Sequence, residues 1–308
     1  MERSNIMNKR TRRDFLKTSG LIGTALASSL LHPVKAAPKN VLSLDRMGVL
    51  VDTTVCVGCR SCEWACRVAH DCPTPPLPAY EDRSVYQNTR RPSQDAVTIV
   101  NEYRQEKGSG PAVYAKVQCM HCDHPSCVSA CIVGAFTKEE NGSVVWDTNK
   151  CIGCRYCMVA CPFQIPAFEF GEALRPDIVK CDFCYSRTQE GRLPACVEVC
   201  PVEVLTYGPR TELIKVARER IRRAPEKYVH RLYGEYEAGG TAWMYLAGRD
   251  FASLGFPDVG THPMPGASES IQHGIFAYFV PPVLLYALLG GVMWITRHRK
   301  ETDQKEFK

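Results

Sequence analysis

The chain lacks the patterns that mark a self-contained enzyme: it has no nucleophile–base pairing, no phosphate-cradling glycine loop and no dinucleotide fingerprint. Catalysis by this chain alone is therefore not expected. It also has little charge of either sign to spare outside its first 36 residues. Those hold seven Lys or Arg against Glu2 and Asp14, a balance equal to the formal +5 of the whole chain. The body that follows is close to neutral and carries no cationic surplus for neutralising phosphates, so nucleic acid is not an expected partner. With 308 residues, 45% hydrophobic and 23% charged, neither a disordered chain nor a mini-protein is in play. The abundant residue is cysteine, 17 in all. Small disulfide scaffolds are shorter, and here the thiols crowd into four short windows with metal-ligand spacing.

The first window is Cys56, Cys59, Cys62 and Cys66, spaced C-x2-C-x2-C-x3-C. The third, Cys151, Cys154, Cys157 and Cys161 followed by Pro162, repeats that spacing with the proline of the bacterial ferredoxin run. The second, Cys119, Cys122, Cys127 and Cys131, stretches one gap to four residues, and the fourth, Cys181, Cys184, Cys196 and Cys200 followed by Pro201, stretches it to eleven. Sixteen ligands result, with Cys72 left over as a spare thiol.

Thiolates in fours suit tetrahedral zinc or iron–sulfur cubanes. Zinc ribbons use two separated C-x2-C pairs, whereas three cysteines on one tight loop wrap three corners of a cube and the fourth leads away to the other cluster of a pair. The triplet-plus-one pattern favours clusters, and four such runs predict four 4Fe-4S clusters. Pairing the second window with the third assigns Cys119, Cys122, Cys127 and Cys161 to one cluster and Cys151, Cys154, Cys157 and Cys131 to another. The first and fourth windows then supply Cys56, Cys59, Cys62 and Cys200 for one cluster, and Cys181, Cys184, Cys196 and Cys66 for the last. No spacing requires a histidine ligand, so His70, His121 and His124 are read as packing or hydrogen-bonding residues.

Gly48 to Asp52 and Val113 to Val117 read as short strands leading into the first and second windows. Asn141-Gly142, between Phe136-Thr137-Lys138 and Ser143 to Trp146, is a hairpin signal. Val202 to Tyr207 reads as another strand and Arg210 to Arg223 as a basic amphipathic helix. Pro73 to Pro78 and the polar stretch Asp82 to Gly110 form an insertion, about residues 69–112, read as a surface loop with partner docking as the alternative. The fold class is α+β: tandem ferredoxin-like modules with a thin apolar core whose folding depends on metal.

Both ends concern membranes. Thr11 to Lys17 contains Arg12-Arg13, and a weakly apolar run to Leu31 and Val34-Lys35-Ala36 follow; this is the pattern of a twin-arginine export signal cleaved after Ala36, a retained anchor being the alternative. Gly274 to Thr296 holds no charged side chain and is long enough to cross a bilayer, so residues 271–296 are expected to form one transmembrane helix; the alternative is a buried core helix. Arg297, His298, Arg299 and Lys300 open a tail, 297–308, that belongs in the cytoplasm, which places the globular body, 37–270, in the periplasm.

With these residues in hand the chain resembles the four-cluster, ferredoxin-like iron–sulfur subunits of membrane-bound respiratory oxidoreductases, and within that family the HybA type found beside periplasmic nickel–iron uptake hydrogenases. The discriminating segments are Leu-Tyr-Gly-Glu-Tyr-Glu-Ala-Gly-Gly-Thr at 232–241 and Ile-Gln-His at 271–273, ahead of the terminal span. The resemblance implies a non-catalytic relay that takes electrons from the hydrogenase small subunit, itself bound to the large subunit, and passes them to a multi-span, quinone-reactive membrane subunit. The runner-up is the beta subunit of a periplasmic formate dehydrogenase or other molybdopterin enzyme; from another class comes a zinc-stabilised, membrane-tethered binding protein. Arg67 and Ile132 depart from the family's pattern, standing where a ferredoxin has proline, and they put the local turns in question.

Overall fold

Residues 46–104, 110–172, 177–266 and 285–296 are described by the structure, a computed structural model. Four times along the chain a short strand runs into a cysteine loop and a short helix leads out of it. The entering strands are β1 (Met47–Asp52), β3 (Val113–Val117), β5 (Val144–Trp146) and β7 (Ile178–Val179), and the helices are α1 (Ser61–Ala69), α2 (Ser126–Ser129), α3 (Tyr156–Ala160) and α4 (Tyr185–Gln189). Each window is followed by a second strand: β2 (Ile99–Tyr103), β4 (Phe136–Lys138), β6 (Ala167–Phe168) and β8 (Leu205–Pro209). A single-turn helix, α5 (Ala195–Glu198), lies within the long gap of the fourth window.

The pairing of these strands is cyclic. β2 pairs with β3, β4 with β5 and β6 with β7, all antiparallel, so each strand leaving a window pairs with the strand entering the next. The last leaving strand, β8, returns to pair with β1, Met47 opposite Pro209 and Val51 opposite Leu205. A final strand, β9 (Trp243–Leu246), joins the other edge of β1 in parallel register, Val49 opposite Trp243. Helix packing follows the same nesting, since α1 packs on α5 and α2 on α3.

After β8 the chain enters α6 (Arg210–Arg223), whose Leu213 and Ala217 are buried against Leu50, Met244 and Leu246. Pro209 precedes the first turn, Glu212 lies within it, and Arg220, Arg222 and Arg223 occupy the last turn. Both placements complement the helix dipole and set the ends where sequence periodicity puts them.

Two expectations are corrected. The insertion is not loop throughout: Thr98 to Asn101 are buried and residues 99–103 form β2. Ile99-Val100 is too short an apolar signal to stand out among polar neighbours, and it is the partner strand β3 that holds it. The strand expected from Val202 begins at Leu205, because residues 201–203 form the turn that follows Cys200, with Glu203 at φ +48°.

Residues 285–296 are helical, with Leu285, Leu288, Val292 and Met293 exposed. No helix among the described residues is long and apolar enough to cross a membrane. The expected signal at 1–36, most of the expected span at 271–284, including His273, and the tail at 297–308 lie outside the described residues.

Candidate metal centre

Every cysteine loop turns by the same backbone device. The residue before the second cysteine is left-handed in all four: Gly58 at φ +69°, His121 at +49°, Gly153 at +67° and Phe183 at +67°. A left-handed residue at that point curls the chain so that successive thiols face one side. At the second and fourth loops the positions carry side chains, and these pack on each other, the His121 and Phe183 rings 4.9 Å apart. Glycine is needed at the first loop, where a Cβ on Gly58 would lie 2.5 Å from the Tyr114 ring. Gly58→Ala is therefore expected to destabilise the protein by about 2 kcal/mol or more. Gly134→Ala, left-handed at +62° but with open space around it, should cost only about 1 kcal/mol. Thermal melts of the two variants test this, and equal losses would remove Tyr114 from the explanation.

The turn after the fourth cysteine is also repeated. The backbone N–H of Ala135 donates to Cys131 Sγ (3.2 Å) and that of Val204 to Cys200 Sγ (3.3 Å). Ile165, Phe163 and Gln164 amides serve Cys161 in the same way. Gly134, Gln164 and Glu203 are left-handed at the third residue of these turns. Ile132 in place of proline thus leaves the turn intact. At Cys66 the turn is lost, because α1 continues through Arg67 to Ala69. His70, four residues on, brings its ring to that sulfur instead, Nδ1 lying 3.9 Å from Cys66 Sγ and 2.7 Å from the Cys66 carbonyl. Its Nε2 is 2.9 Å from Asp182, and that hydrogen bond is the main reason the His70 pKa is pushed up to about 12.

Neighbouring thiols lie close enough to interact. Cys56 lies within electrostatic reach of Cys59, Cys62 and Cys200, and these four line one cavity. Cys122 is beside Cys119, Cys161 and Cys127; Cys157 is beside Cys154, Cys151 and Cys131; Cys196 is beside Cys66 and Cys184, and Cys181 beside Cys66. Cross-links between groups give their order. Cys157 is within reach of Cys127, Cys119 of Cys181 and Cys196 of Cys62, so the groups run in a line with the Cys151 group at one end and the Cys56 group at the other. Exposed thiols occur only at the two ends, at Cys59 and Cys154. Cys72 is half-buried and outside every group, its thiol donating to the His70 carbonyl at 3.6 Å.

Burial drives the thiols of Cys62, Cys122 and Cys181 well above the ordinary range and lifts Cys56 and Cys196 to about 11. Thiolates at such positions require a compensating cation, as a metal centre supplies. Two buried N–H groups point to the same chemistry. Trp243 Nε1 and Trp146 Nε1 have no hydrogen-bond acceptor among the described residues. Both tryptophans pack among the cysteines, and His121 Nδ1 accepts from Val144 N–H at 2.8 Å, which puts the ring proton on Nε2. Sulfur in a metal–thiolate centre is an acceptor that such buried donors can use. His124 is exposed and takes no part.

Several buried charged residues around the groups escaped sequence reasoning. Glu63, between Cys62 and Cys66, accepts from Arg60, from both terminal nitrogens of Arg90 and from the Val100 N–H at 2.6 Å. Lys138 donates to the His121 and Gly142 carbonyls, and burial holds its pKa down at about 8. Lys180 donates to the Val144 and Cys181 carbonyls. Lys116 lies between the Cys56 and Cys181 groups, among Thr98, Gln118 and the Trp243 ring. A lysine in or directly after a short strand ahead of a cysteine was the available signal, at Lys116 and Lys180 respectively.

The segment at 232–241 braces the second loop. Arg210 donates to the carbonyls of Thr241, Gly234 and Glu235, the Asp123 N–H donates to the Gly240 carbonyl at 2.8 Å, and Cys122 pairs with Thr241 in an isolated bridge.

Residues 111–210 match the 4Fe-4S dicluster domain family. A protein of Nitratidesulfovibrio vulgaris Hildenborough is 46% identical over 96% of this chain and 79% of its own length. The hydrogenase-2 operon protein HybA of Escherichia coli O157:H7 is 32% identical over 96% of this chain and 97% of its own length. The iron–sulfur subunit of the nitrate-inducible formate dehydrogenase of E. coli K12 is 31% identical over 75% of this chain and 76% of its own length. A ferredoxin-like dicluster fold, a cyclic repeat of thiol loops and a relative that matches from end to end place the chain in the HybA family, as a non-catalytic iron–sulfur electron-transfer subunit of an oxidoreductase complex.

Proposed function

We propose that the chain holds four 4Fe-4S clusters, ligated by the four quartets named above, and that it passes electrons from a periplasmic hydrogenase catalytic dimer to a quinone-reactive, multi-span membrane subunit. The observation that carries this reading is the line of four thiol groups, buried in the middle, with an exposed cysteine at each end. Such an order gives charge one way in and one way out while the intermediate stations stay dry. When bound, the clusters supply reversible one-electron chemistry, with potentials set by burial and by hydrogen bonds to sulfur. The protein's own part is to hold the thiols in place, to donate N–H groups to sulfur and to exclude water.

The twin-arginine signal, the periplasmic body and the terminal span complete the proposal. Folding around metal inside the cell and leaving already folded keeps sixteen thiols from forming disulfides in an oxidising compartment. The exposed apolar residues of the helix at 285–296 agree with a span that continues toward residue 271.

Purification of the tagged full chain with its partners from membranes tests the whole reading. The expected preparation is brown, carries iron and acid-labile sulfide in equal amounts, shows reducible paramagnetic centres and contains hydrogenase subunits. A molybdopterin subunit in their place would transfer the relay to formate oxidation or a related reaction. A colourless protein loaded with zinc would end the electron-transfer proposal.

A further inference from the structure

A lysine ammonium buried in protein needs negative charge beside it, or it loses its proton. Lys116 on β3 is 3% exposed. Its Nζ donates to Thr98 Oγ1 at 3.2 Å and Gln118 Oε1 at 3.0 Å, and it lies 4.3 Å from the centre of the Trp243 ring. Both oxygens are neutral, and no carboxylate pairs with Lys116 among the described residues. The negative charge within its reach is sulfur: Cys196 and Cys181 on one side, and Cys62 on the other. Lys116 also lines the cavity enclosed by Cys56, Cys59, Cys62 and Cys200.

The Lys138 ammonium is held by two carbonyls, with Asp123, Cys122 and Cys119 nearby. Lys116 differs in having, among the described residues, neither a carboxylate nor a backbone carbonyl as partner. Lys180 differs again, tied to the Val144 and Cys181 carbonyls and facing Cys127.

We propose that Lys116 is the shared charge partner of the two quartets drawn from the first and fourth windows, a fixed cation that stabilises added negative charge on both. This rests on the reading that the quartets hold iron–sulfur clusters. The step moves one electron from the centre in one quartet, which is oxidised, to the centre in the other, which is reduced; no bond forms or breaks and no proton moves. A cation placed between the two favours the reduced form of each. Strand β3 fixes the ammonium: its carbonyl at Lys116 accepts from Tyr245 O–H at 3.0 Å, and the Gln118 side-chain amide donates to that same hydroxyl at 2.6 Å.

The test is a potentiometric titration with dithionite of the full chain in its purified complex, followed by electron paramagnetic resonance, with iron content measured on every sample. Lys116→Met removes the charge at nearly constant bulk. Two of the titrating centres are expected to become harder to reduce, their reduced-to-oxidised ratio at a given potential falling about tenfold, which is 59 mV for a one-electron couple. The remaining centres should stay where they are, and Lys116→Arg should leave every centre in place. Full iron in Lys116→Met with no centre moved overturns the proposal, as does an equal shift in the methionine and arginine variants. If Lys116→Met fails to keep its iron, Lys116→Arg and Lys116→Gln decide: iron and potentials kept by arginine but iron lost by glutamine supports a charge role, and equal retention or equal loss in both overturns it. A wild-type protein with no reducible centres defeats the functional reading itself, before any variant is made.

Discussion

Stripping iron from the purified protein with an oxidant and a chelator is expected to unfold most of the described body rather than to leave an empty scaffold. Four of the five apolar clusters among the described residues contain cysteines from the quartets: Cys56, Cys62, Cys122, Cys196 and Cys200 in the largest, Cys127, Cys131, Cys151 and Cys157 in the next, and Cys119, Cys161, Cys181 and Cys184 in two smaller ones. Side chains that pack around metal lose their partners on one side when it leaves, and buried donors such as Trp243 Nε1 lose their acceptor. A domain held by about 5–15 kcal/mol cannot absorb four such losses. The cluster of Leu50, Leu213, Ala217, Tyr228, Leu232, Met244 and Leu246 contains no cysteine. Hydrogen exchange of the stripped protein should therefore show residual protection only in α6 and the adjoining sheet of β8, β1 and β9, with the loops at 119–131 and 151–161 exchanging freely. Protection retained at Val144 and Ile178 would show that metal is not what holds the second and third modules.

Glu63→Ala is expected to destabilise the protein by about 3–5 kcal/mol, the loss typical of breaking a buried ion pair by removing one partner. The Glu63 side chain is 4% exposed and joins Arg60, Arg90 and the Val100 amide. Removing it leaves the Arg60 guanidinium buried without its anion and frees the Val100 N–H, detaching β2 from α1. Arg60 retains the carbonyls of Tyr80 and Asp82 and the face of the Tyr80 ring, none of which carries a full negative charge. Glu63→Gln keeps an acceptor for one donor and should fall between. Chemical denaturation followed at the cluster absorbance measures both, and a loss below about 1 kcal/mol for alanine would mean that water re-solvates both arginines.

Much of the site could be read from the chain because metal-ligand spacing is local. The three cysteines of a tight loop fix its geometry, and the hairpin at Asn141-Gly142 and the helix at Arg210 to Arg223 have signals that span a few residues. The nested grouping of windows is a proposal that rests on one rule about the fourth cysteine. What escaped depends on partners far along the sequence. Trp243 to Leu246 becomes a strand only because β1, nearly two hundred residues earlier, offers an open edge. Left-handed His121 and Phe183 carry no local mark, since neither is glycine; each is held by loop closure and by the other's ring. Lys116 and Glu63 look like surface residues in composition, and only the packed structure shows what surrounds them.

The cyclic pairing of strands also sets a timetable for synthesis. Once Cys161 has left the ribosome, the two thiol groups drawn from the second and third windows have every residue they need, whereas the groups built on Cys56 and Cys66 wait for Cys181, Cys184, Cys196 and Cys200. Strand β1, made first, stays unpaired until residues 205–209 arrive and gains its second neighbour only at 243–246. Cofactor delivery to the growing chain can start in the middle, and the earliest cysteines to emerge are among the last to be closed in.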